Sequence, residues 1–414
     1  MLRSVRCPSM KSSLRGSSRR VSVLGSSLVL AFGVSFACAV ISGIAIPIAE
    51  AGGEGEGDRE DAPTDWARAV EPRGFEFPQD HGSHPDFRTE WWYLTGELEA
   101  GEGRERFGFQ ATWFRSGLAE PGVRPDVERR VSGLAAGDLF FFHGAVTDVA
   151  RGRFLHESIA SRGARAWAGA RSDDLDVWLF DRKLRREGDV FRVEFPVEGR
   201  RVELELRPVR DPLFHGESPG LSQKGPEAGQ ASYYYSLTRM EARGTLQREP
   251  GGPTLPVRGR VWLDREFGSH QLGDDQIGWD WFSVALSDGS DLMLYEIRRE
   301  DGSVEPTSSG TLRSPQGERL HLGRGDYTVE VLDRWESRAS GGTYPSRWRL
   351  RVPSRSLELE VRPVLAEQEL RTGGTTGVDY WEGLCDFEGT VEGQPVRGSG
   401  YVELVGYVGR FPGL

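Results

Sequence analysis

Short segments recur in this chain in a fixed order, and that order constrains the fold more than any single motif. "VELELRPV" (Val202 to Val209) returns as "LELEVRPV" (Leu357 to Val364), each behind an aromatic–arginine run ("FRVEFPV", "WRLRVPS"). "PVRGRVWL" (Pro256 to Leu263) returns as "PVRGSGYV" (Pro395 to Val402). "GAVTDVARGRFLH" has a fainter echo in "GTLRSPQGERLH", and "GSHPDFRTEWWYLTGEL" in "GSHQLGDDQIGWDWFSVAL". Chance matches between short motifs would not keep the same order, so the chain reads as two tandem domains of one topology, joined near Phe267.

The segments themselves are strands. Runs of alternating apolar and polar residues are separated by Gly-rich turns, and Phe107, Phe109, Ala111 and Trp113 fall on one face at period two. No segment keeps a helical period over three turns. The expected fold is all-β and antiparallel, a sandwich or barrel in each half. The boundaries drawn are residues 75–267 for the first domain and 268–414 for the second.

Residues 1–51 carry six basic residues and one acid, with Arg15, Arg19 and Arg20 ahead of a charge-free run from Val21 to Ala49. This is the pattern of an export signal ending at "AEA", or of an uncleaved anchor associating with the membrane. Residues 52–74 open with an acidic, Gly-rich stretch expected to act as a linker. The expected location is periplasmic or secreted. The net charge is −11, and removing the basic leader makes the remainder more acidic, which argues against nucleic acid and anionic headgroups as partners. Arginine outnumbers lysine 49 to three (Lys11, Lys183 and Lys224), a bias of the kind a GC-rich genome produces. Beyond the leader only Cys385 remains, so no internal disulfide or cysteine-based metal site is expected there.

Carboxylates stand beside aromatics throughout: Glu90, Asp264 and Glu266 in "WLDREFG", Asp280 in "WDW". Apolar surroundings raise a carboxyl pKa and make a proton donor, while aromatic faces stabilise a developing cation. Together these suit the addition of water to a double bond; the same acids could equally form cross-strand ion pairs. Strand alternation puts Asp280 opposite the Trp279 and Trp281 rings, so one of the two sets faces away from a shared lumen. His84, Glu90 and His143 form the first domain's candidate polar cluster; His81 is expected in solvent and His270 in a structural role. No G-x-S-x-G elbow, H-E-x-x-H or phosphate loop is present, and no metal or other cofactor is expected.

The motifs "HGSHPDFRTEWWYLTGEL", "FFHGAVTDVARGRFLHE" and "GRVWLDREFGSHQL", continuing into "GWDWFSVALSDGSDLMLYEIRREDG", resemble the AttH/CrtC family over about Phe77 to Tyr407. That family holds secreted hydrolases and carotenoid 1,2-hydratases, and the resemblance implies two tandem lipocalin-like β-barrel domains. It further implies a hydrophobic, lipid- or isoprenoid-like ligand and cofactor-free hydration or hydrolysis. Arg265 and Phe267 stand where many relatives carry His and Trp. Expected catalytic residues are Asp264, Glu266, Asp280, His84, Glu90 and His143; Trp91, Trp92, Tyr93, Trp279, Trp281 and Tyr295 would shape the pocket. The competing expectation is a non-enzymatic lipid carrier working with an envelope ABC transporter.

Overall fold

The computed structural model describes residues 65–101, 105–121, 137–164, 166–269 and 272–410. The stretch read as an export signal or anchor, most of the expected linker and His270 lie outside the described residues. Among the described residues no helix is long and apolar enough to cross a membrane.

Two curled antiparallel sheets, a barrel and a half-barrel, make up nearly the whole structure. Each begins as a meander. Thr89–Ala100, Glu105–Gly117, Asp138–Asp148 and Arg153–Arg162 pair in sequence in the first sheet. Gln276–Leu286, Asp291–Arg299, Gly310–Arg313 and Arg319–Leu322 do so in the second. The closing hairpin of each half then returns beside its opening strand: Thr254–Gly268 pairs with Thr89–Ala100, and Gln394–Leu404 with Gln276–Leu286. The repeated "PVRG" segments occupy these closing strands, and "VELELRP" and "LELEVRP" occupy equivalent strands one place beyond the hairpins. The order-preserving echoes are therefore echoes of topology, and the all-β fold class expected from the sequence is the one observed.

Alternation fixes which face of each strand is buried in which layer. Phe107, Phe109, Ala111 and Trp113 all enter the interior of the first sheet, with Trp92, Leu94, Phe142 and Phe195. Phe282, Val284, Trp348, Leu359 and Phe387 fill the second. Gly259 is required where its strand is crowded by its neighbour, because a Cβ there would lie 1.9 Å from the Glu97 carbonyl oxygen. Both interiors are packed with side chains.

The outer faces of the two sheets meet. Tyr93, Tyr234 and Trp262 from the first pack with Trp281, Met293, Tyr295, Leu384 and Tyr401 from the second. A buried ionic knot locks this seam. Asp291 accepts from Thr238 at 2.8 Å, Arg239 at 2.6 Å and Arg313 at 2.8 Å, and pairs with Arg210 at 3.2 Å. One fully buried carboxylate is thus satisfied from both halves, the condition under which a buried charge is tolerated.

Candidate active site

A cavity of about 410 Å³ lies within the seam. Trp91, Tyr93, Phe114 and Tyr234 wall it from the first sheet, and Trp279, Trp281, Tyr295 and Tyr380 from the second. Exposed Arg88 and Asp274 are also among its lining residues and mark its solvent side. Such a mostly aromatic concavity with few polar groups suits a small apolar or amphipathic molecule.

Asp264 is the central polar group. On its strand Trp262, Asp264 and Glu266 share the seam face, while Val261 and Leu263 turn into the core. Tyr234 donates to Asp264 Oδ2 at 2.5 Å, and Trp262 Nε1 and Ser236 Oγ both donate to Oδ1, the indole at 2.6 Å. Ser236 also meets His215 Nε2 at 2.6 Å, and His215 Nδ1 meets Thr311 Oγ1 at 2.9 Å. With Ser236 donating to the acid, its oxygen accepts from His215, which leaves Nδ1 to accept from Thr311. Burial nevertheless dominates. It lifts Asp264 to about 7 against the three donated hydrogen bonds, with the nearby Glu266 carboxylate adding to the rise.

Glu266 takes a hydrogen bond from Ser232 and an ion pair from Lys224 Nζ at 3.1 Å. Lys224 lies 4.0 Å from the Tyr295 ring centre and 5.0 Å from that of Tyr234. Burial works against its ammonium, but Glu266 and the Tyr295 hydroxyl outweigh it, so Lys224 titrates above an ordinary lysine. It therefore stays cationic in the cavity wall.

His143 also lines the cavity, its Nδ1 at 2.9 Å from the Tyr380 hydroxyl and its Nε2 at 3.2 Å from Thr375 Oγ1. Burial pushes it down to about 3, so it is a neutral imidazole that can orient a polar group but carries no charge at neutral pH.

The other expected residues sit elsewhere. Glu90 is fully buried, held by Arg115 and Arg265 and accepting from Ser83 Oγ at 2.5 Å and the His84 backbone N–H at 2.9 Å. Burial opposes its charge, yet the two guanidinium groups hold it well below the usual carboxylate range. Arg265 donates to His84 Nδ1 at 3.0 Å, so Nε2–H donates to Asp80 at 2.8 Å, and the imidazole stacks on Phe267 at 3.6 Å. His84 and Glu90 thus pin the entry segment to the first sheet. Alternation sends Trp92 into the first core, leaving Trp91 and Tyr93 at the cavity. Asp280 likewise points away from Trp279 and Trp281; it pairs with Arg298 at 2.9 Å and accepts from Tyr407 at 3.0 Å. His81, expected in solvent, is buried instead: its ring meets the Tyr235 hydroxyl at 2.7 Å and packs against Phe77 and Phe191.

Several groups at the cavity were not among the expected site residues, among them Lys224, Tyr234, Tyr380 and Glu403. Lys224 had a signal, being one of three lysines in an arginine-rich chain. Tyr234 had a weaker one, as the middle tyrosine of "YYY" faces opposite to its neighbours. Among the described residues no cluster of three or more His, Cys, Asp or Glu side chains could hold a metal ion.

Fold and site together define a lipocalin-like protein with a buried acid–base cavity between two sheets. The chain belongs to the AttH-like family, whose model matches residues 68–407. It is 36% identical to an AttH protein of Nitrosomonas europaea of known structure, covering 83% of this chain and all of that one, with a TM-score of 0.73. The kievitone hydratase structure from Nectria haematococca shares the fold at 16% identity and TM-score 0.63, covering 84% of this chain and 97% of that one. Kievitone hydratase of Fusarium solani subsp. phaseoli is 26% identical over 194 residues, 45% of this chain. The match spans about half the length of that relative, 51%.

Proposed function

We propose that this protein is a cofactor-free hydratase acting on an apolar or amphipathic molecule, lipid- or isoprenoid-like, that carries a carbon–carbon double bond. The carrying observation is Asp264: a carboxyl near 7, ringed by donors, on the wall of an aromatic cavity. At neutral pH such a group is protonated in a substantial fraction and can give its proton to carbon. The Asp264 O–H bond breaks and a C–H bond forms. The cation left on the neighbouring carbon meets the faces of Trp91, Trp281 and Tyr295. Water then adds to that carbon and releases a proton, so one water is gained overall. Sequence similarity to a kievitone hydratase supports hydration as the reaction class. The basic leader with its charge-free run supports export, which N-terminal sequencing of the purified protein would test with a start near Gly52.

The direct test uses acyclic isoprenoid alkenes of ten to twenty carbons as probes in ¹⁸O-labelled water, read by mass spectrometry. Wild-type protein should give products heavier by one labelled water, and Asp264→Asn should lower the rate by about 10²–10⁴-fold while still retaining the probe. A wild-type protein that retains probes unchanged would instead be the carrier.

A further inference from the structure

On the second sheet's side of the cavity stands a second pair of acids that packing does not explain. Glu403 lines the cavity from the strand Gln394–Leu404, and its Oε2 accepts from Trp279 Nε1 at 2.8 Å. Directly across the strand pair stands Glu382, on Tyr380–Val391. Glu382 is 1% exposed, and neither of its oxygens has a hydrogen-bond partner among the described residues. The Tyr93 hydroxyl, also without a well-formed hydrogen bond, is the polar group beside it. A buried carboxyl met only by the Tyr93 hydroxyl, short of a well-formed hydrogen bond, costs stability, and an apolar residue of similar size would pack there at less cost.

Two buried carboxyls paired across neighbouring strands oppose one another's ionisation. Burial lifts Glu403 to about 7. Burial and then the Glu403 charge push Glu382 well above the usual range. The pair therefore carries one proton on Glu382 and leaves Glu403 able to alternate near neutrality. Hydration needs a proton acceptor as well as a proton donor, because the water that attacks must lose a proton.

Building on the hydratase reading above, we propose that Glu403 accepts the proton of the attacking water, and that Glu382 behind it is a positioning residue that keeps a single negative charge on the pair. Water oxygen bonds to the cationic carbon, one water O–H bond breaks, and that proton goes to the Glu403 carboxylate. Asp264 has by then lost one proton and Glu403 gained one. Exchange with solvent at the Arg88 and Asp274 side of the cavity resets both.

The test runs the same isoprenoid probes in D₂O containing ¹⁸O, with Asp264→Asn, Glu403→Gln and Glu403→Asp. Glu403→Gln should lower ¹⁸O incorporation by about 10²-fold or more while deuterium still enters the recovered alkene, since the cation forms but is not trapped. Asp264→Asn should lose both signals, and Glu403→Asp should recover part of the ¹⁸O incorporation. For Glu382, the infrared band of a protonated carboxyl should vanish in Glu382→Gln, and its titration should fall to lower pH in Glu403→Gln. Unchanged ¹⁸O incorporation in Glu403→Gln, or a Glu382 band that ignores that substitution, overturns the assignment and leaves the hydratase standing. Wild-type protein that incorporates no ¹⁸O from any probe overturns both.

Discussion

The Trp281 indole of the second sheet donates to the Tyr234 hydroxyl of the first at 3.1 Å, and Tyr234 passes the contact on to Asp264. The proton affinity of the acid is thus set from both halves. Tyr234→Phe removes a donor that favours the charged carboxylate, so Asp264 should hold its proton to higher pH. Activity that needs the protonated acid falls as pH rises through this pKa, and that alkaline limb should move to higher pH in the variant. A pH–rate profile whose limb stays put, or moves to lower pH, contradicts the role given to Asp264.

Stability should report the same group. Folding raises Asp264 from 3.8 to about 7, so the folded state binds its proton more tightly than the unfolded chain. Its contribution is therefore full below 3.8 and is lost as pH rises through 7. Relative to Asp264→Asn, which cannot titrate, wild-type protein should lose up to about 4 kcal/mol across that interval. Urea unfolding of both proteins at several pH values between 4 and 8 measures the difference, and parallel curves would count against the buried acid.

Lys224→Met should be costly for a reason distinct from chemistry. It removes the only cation ion-paired with Glu266 among the described residues and leaves a buried carboxylate. A loss of about 3–5 kcal/mol is expected, with much of it restored in the double variant Lys224→Met/Glu266→Gln. Denaturant midpoints of the four proteins of this cycle give the coupling directly.

Asp280 and Glu90 should behave as structural acids. Asp280→Asn keeps the shape of a group that meets Arg298 and Tyr407 away from the cavity, so turnover and probe retention should stay within about twofold while stability falls by about 1–3 kcal/mol. Glu90→Gln leaves Arg115 and Arg265 buried without their shared carboxylate and should destabilise more, by about 3–5 kcal/mol. A hundredfold loss of turnover in a still-folded Asp280→Asn would return that residue to the site.

Alternation and ordered repetition carried the fold, because both are local properties of the chain. The Phe107 to Trp113 face reads directly from period two, and the "WDW" rule allowed two arrangements, of which the molecule takes the one with both rings at the seam. The site was legible only where a single strand displays it, as with Asp264 and Glu266. Glu90 looked catalytic because charges crowd its sequence neighbourhood. Its partners are arginines 25 and 175 positions away, and pairing with them makes it an anchor. Lys224, Tyr234 and Glu403 come from segments whose convergence depends on how the two sheets face each other, which no short window of sequence encodes.

The strand side chains that wall the cavity, such as Tyr93, Tyr234, Trp281 and Tyr295, sit on faces their sheets turn outward, away from both hydrophobic interiors. Substitutions among these rings can alter the shape of the chamber while both interiors keep their packing. Such an arrangement lets one scaffold explore new guests while its architecture stays fixed.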